Sequence, residues 1–68
     1  MNEETFNTSM RKFLKTVGVT SQQQLEKAVK DAIASGKLKG TEEIPVKVEL
    51  TSDVLGKPFV VDGTLKLA

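Results

Sequence analysis

The sequence predicts an α+β domain of ααββ order, with two amphipathic helices packed on one face of a two-stranded antiparallel hairpin. Three observations predict it: two apolar stripes at helical spacing, a glycine after each stripe, and a change to period-two alternation beyond Gly40.

The first stripe is Phe6, Met10, Phe13, Leu14 and Val17, one face of a helix. Asn2 suits the N-cap, and Glu3 and Glu4 sit where the helix dipole favours negative charge. Gly18 follows the last apolar position and reads as the left-handed residue that closes the helix, with Val19 just past the stop. Thr20 or Ser21 then restarts the chain as an N-cap, with Gln23 or Gln24 completing a capping box.

The second stripe is Leu25, Ala28, Val29, Ala32 and Ile33, so a second helix is expected from about Ser21 to Ser35, ending at Gly36. Lys37 to Gly40 form a turn, with Leu38 tucked under the helix end. Ile44, Val46, Val48 and Leu50 alternate with polar residues and Pro45, which marks a half-buried strand with edge character. Residues 51–58 form a polar loop holding Val54 and Leu55. Phe59, Val61, Gly63, Leu65 and Leu67 continue the alternation as a second strand with a bulge at Gly63. Asp62-Gly63 also matches a hairpin turn, which would give a three-stranded meander.

The 68 residues contain no His, Cys, Tyr or Trp. That removes the commonest acid–base and nucleophilic groups and the thiol and imidazole metal ligands. The carboxylates Glu42, Glu43, Asp53 and Asp62 fall in connections or beside strand ends, but their spacing matches no calcium loop. The expectation is a non-enzyme with no catalytic residue, no cofactor and no metal. Ten Lys and Arg against nine Asp and Glu give a net charge of +1, without the basic excess of a dedicated nucleic-acid or membrane binder. An acidic start and no long apolar run point to a soluble cytoplasmic chain without a membrane partner.

A single domain of this length draws little stability from its own core, and no disulfide staples it. Self-association as a homodimer, or binding to an unidentified protein through helix face or strand edge, is therefore expected. The alternative is a minimal DNA-binding protein. Phe13 to Val29 resembles a helix-turn-helix in which Gly18-Val19-Thr20-Ser21 is the turn, and Gln22, Gln23, Lys27 and Lys30 on helix two contact DNA. Against it stand Glu26 and Asp31 on the same helix, one Arg in the whole chain, and no third helix.

The run from Phe6 through Arg11 to Ser21, then Gly36 to Gly40, then Val61-Asp62-Gly63 with Leu65 and Leu67, resembles a family of short uncharacterised bacterial proteins of unknown function. The resemblance implies a two-helix plus hairpin domain and carries over no catalytic residue.

Overall fold

A computed structural model describes residues 1–68 as two compact units, Met1–Lys37 and Leu38–Ala68. The first unit is a single helix, α1, Glu3–Ala34. The second is an antiparallel hairpin of β1, Glu43–Leu50, and β2, Phe59–Lys66, with a short 3-10 turn at Asp53–Leu55 in the connection. The chain is α+β, but the expected two helices are one.

The expected break at Gly18 to Ser21 is helical throughout. Gly18 lacks the positive φ of a closing residue, unlike Gly36 at 83°. The hydroxyl of Thr20 does not cap a new helix but donates backwards to the Thr16 carbonyl at 2.8 Å, as Thr16 donates to Lys12 at 3.1 Å. A glycine inside a helix costs about 1 kcal/mol relative to alanine. Ending one helix and starting another strips up to about four amides or carbonyls of partners at each new end. Continuity is the smaller cost. The two stripes therefore share one helix, with centres rotated by about 80° when each residue advances about 100°.

The helix ends follow the sequence. Asn2 accepts from the Thr5 amide at 3.1 Å, and the Phe6 amide donates to the Asn2 carbonyl at 3.0 Å. At the other end, Gly36 donates to Ile33 and Lys37 donates to Ala32, the paired bonds that a left-handed glycine permits past a C-cap.

In the hairpin the register runs without interruption from Glu43 opposite Lys66 to Leu50 opposite Phe59. Asp62 and Gly63 lie within β2 opposite Lys47 and Val46, so they form neither a turn nor a bulge. One continuous ladder satisfies more backbone groups than either alternative. The Leu67 amide adds one bond beyond the strands, to the Glu42 carbonyl at 3.1 Å. In the connection, the Ser52 side chain accepts from the Val54 amide at 3.4 Å and Gly56 takes a φ of 74°.

Candidate functional site

The register sorts the hairpin into two chemically opposite faces. Ile44, Val46, Val48 and Leu50 stand opposite Leu65, Gly63, Val61 and Phe59, so one face is wholly apolar. The other sets Glu43 against Lys66 and Lys47 against Asp62, pairs of opposite sign, with Pro45 against Thr64 and Glu49 against Val60. Val61 on the apolar face is 52% exposed and Val60 on the polar face 42% exposed, so neither is covered. Gly63 interrupts the apolar face. A Cβ built there would meet Val46 Cγ2 at 3.8 Å, an ordinary contact. Nothing in the strand requires a glycine at this place, and its missing side chain leaves a notch between Val61 and Leu65.

The helix likewise presents apolar side chains without cover. Phe6 is 49% and Phe13 53% exposed, and no residue of either unit is buried. The stripe is bulky and apolar in the first half of α1, whereas its line continues through Ser21, Gln24, Ala28, Asp31 and Ala32, a mixture of small and polar side chains.

The four candidate DNA-contacting residues all lie on α1 and are exposed. Gln22 donates to Glu26 at 3.0 Å, and Lys27 forms an ion pair with Asp31 at 2.7 Å. Gln23 and Lys30 lie on the same helix without a turn before them. The helix-turn-helix element from which these residues were chosen is replaced by continuous helix. Ion pairing ties Lys27 to an acid that would repel a phosphate backbone.

The carboxylates divide by environment. Asp62 faces Lys47 across the strands, Glu43 faces Lys66, and Asp53 opens the 3-10 turn. No three of the acidic residues are placed to hold a metal ion. Glu42 has a structural task that sequence reasoning missed. Its carboxylate accepts from the amides of Lys39 at 2.8 Å, Gly40 at 2.9 Å and Thr41 at 3.1 Å, fastening the turn before β1. The Lys39 amide, with those of Gly40 and Thr41 adding to it, holds the carboxyl below its ordinary value. A Gly followed two places later by an acid was the signal available.

No helix is long and apolar enough to cross a membrane. The molecule is thus a small α+β protein of one long helix and one hairpin, with exposed apolar side chains in both. The chain belongs to DUF6494, a family of unknown function, whose model matches residues 1–68. No match was found among curated proteins or solved structures.

Proposed function

We propose that the protein is a cytoplasmic, non-enzymatic interaction domain that associates with itself or with another protein through its apolar faces. The observation that carries this reading is the apolar face of the hairpin, which runs from Ile44 to Leu50, half-buried at Ile44, Val46 and Leu65 and exposed at Val48, Leu50, Phe59 and Val61. Two strands alone are marginal in water, and a sheet of this kind gains stability when its apolar side is buried. The polar face carries its own opposite charges and needs no partner. The helix supplies a second apolar surface of the same character.

The test is a series of amide ¹H–¹⁵N correlation spectra from micromolar to millimolar protein, alongside sedimentation velocity. The expected result is concentration-dependent shifts at Val46, Val48, Val61 and Leu65, with a thermal midpoint that rises with concentration. Spectra of the hairpin that stay unchanged with concentration, and on adding whole-cell protein, would reject the hairpin face as a contact surface. A parallel titration with duplex DNA at low salt reads the competing function, because even non-specific phosphate binding shows there. Salt-sensitive shifts confined to Gln22 through Lys30 would replace the interaction reading with DNA binding.

A further inference from the structure

We infer that the outer edge of β2 recognises itself: it pairs antiparallel with the β2 edge of a second copy, about a two-fold axis at Thr64, and the two hairpins form one four-stranded sheet. This deepens the interaction reading above, on which it rests, by naming the partner and the contact that joins the two apolar faces.

The first argument is which backbone groups are free. In an antiparallel ladder, opposed residues alternate between pairs that exchange hydrogen bonds and pairs whose amides and carbonyls point away from the partner strand. The bond from the Leu67 amide to the Glu42 carbonyl fixes the phase, so Ile44 and Leu65, Val46 and Gly63, and Val48 and Val61 exchange bonds. The residues between them point outward, which on β1 are Glu43, Pro45, Lys47 and Glu49, and on β2 are Val60, Asp62, Thr64 and Lys66. Pro45 has no amide hydrogen and breaks the row of donors on β1. The row on β2 is unbroken. Its four residues are exposed and none makes a backbone bond outside the ladder. An open edge of this kind accepts another strand.

The second argument is charge, which selects the register. An axis at Asp62 opposes two aspartates, and an axis at Lys66 opposes two lysines. At Gly63 or Leu65 neither charge meets its opposite. At Thr64, Asp62 of each copy faces Lys66 of the other, twice by symmetry. Within the hairpin Asp62 already faces Lys47, and Lys66 faces Glu43, so the sign alternates across all four strands. Neither Asp62 nor Lys66 forms an ion pair within the chain. The two Thr64 side chains meet at the axis, a favourable cross-strand pair.

The third argument is shape. In this register Gly63 faces Leu65 of the second copy in a pair that exchanges no bonds, where strands approach to about 4.5 Å. The notch at Gly63 thus lies beside a leucine, and both apolar faces fall on the same side of the joined sheet. Two strands alone are marginal, whereas four sharing an apolar face exceed the number needed for independent stability. The edge is short, so the contact belongs to the small, weak class of interfaces and forms at high protein concentration.

The test uses the full chain. Asp62→Lys and Lys66→Asp each make both cross-edge pairs repulsive and are expected to weaken self-association roughly ten-fold in sedimentation. Mixed with one another, the two variants set Lys against Asp at both places, and association is expected to return to near that of the unaltered chain. Glu49→Lys makes the same charge change on the outer edge of β1, and mixed with Lys66→Asp it is expected to fall short of this recovery. Hydrogen exchange at the amides of Asp62 and Thr64 is expected to slow from micromolar to millimolar protein, with Lys47 and Glu49 unchanged. A dimer whose Asp62 and Thr64 amides stay unprotected, or a mixture that fails to recover, would overturn the edge pairing and leave association through the apolar face standing. Protection that appears only with a second protein present would give the edge to a foreign strand and overturn self-pairing. A monomer at millimolar concentration would also overturn it, and if the hairpin then responds to no other protein, the interaction reading falls with it.

Discussion

The two units of this chain solve the same backbone problem in different ways. In α1 each hydrogen-bonded group finds its partner within a turn, so the helix carries Gly18 and three neighbouring Thr and Ser residues without breaking. In the hairpin every ladder bond joins residues far apart in sequence, and its ends are fastened separately, by Glu42 at one and by Ser52 in the connection. The helix is thus tolerant of a local defect and exposed along its stripe. The hairpin depends on register and is exposed over a whole face. Local bonding sets a helix's continuity, but neither kind of bonding supplies cover for apolar surface.

The most forceful way to break this contrast is Gly18→Pro. Proline there removes the amide and clashes with the carbonyl one turn earlier, so the helix should lose about 3 kcal/mol or more. A marked fall in helical circular dichroism is expected. Retained helicity would mean that the chain already bends at this point.

The hairpin is probed by neighbours on opposite faces. Val61→Lys places a charge on the apolar face and should weaken association by about 1.5–3 kcal/mol, the worth of a covered valine, read from the sedimentation constant. Val60→Lys on the polar face should stay within about 0.5 kcal/mol. Equal effects would remove the distinction between the faces.

Asn2→Ala withdraws the cap oxygen from the Thr5 amide, and a loss of about 1 kcal/mol is expected in thermal unfolding. The smallest effect belongs to Glu42→Gln. The Glu42 carboxyl sits below its ordinary value of 4.5 because three amides favour its charged form. Its stabilisation is therefore complete above that value and is lost as pH falls through the lower folded value. The variant should flatten this part of the acid-unfolding curve. An unchanged curve would deny the turn this anchor.

The parts governed by neighbouring residues were readable in the sequence. Asn2, Glu3 and Glu4 announce the start of α1, Gly36 its end, and the alternation of Ile44 to Leu50 and Phe59 to Leu65 the two strands. Gly18 misled because a glycine after an apolar stripe followed by Thr and Ser has the same local signature whether a helix stops or continues. The decision lies in hydroxyls that turn back towards the previous helical turn. Gly63 misled similarly, since Asp-Gly serves a turn only if the chain must reverse, and here pairing with Lys47 and Val46 carries it straight through. Of the surfaces, the stripes and alternation were visible residue by residue. The opposition of Glu43 to Lys66 and Lys47 to Asp62 required the register.

The charge pairing on the hairpin's polar face has a consequence for time rather than for affinity. Opposite signs placed side by side cancel at a distance, so that face projects little field into the solvent. Encounters made through this hairpin are not steered, and should form at the about 10⁵–10⁶ M⁻¹s⁻¹ of unsteered docking, with rates nearly indifferent to salt. How long a partner stays then depends on its fit to the apolar side and to the notch at Gly63, so selectivity between partners is exercised at departure rather than at arrival.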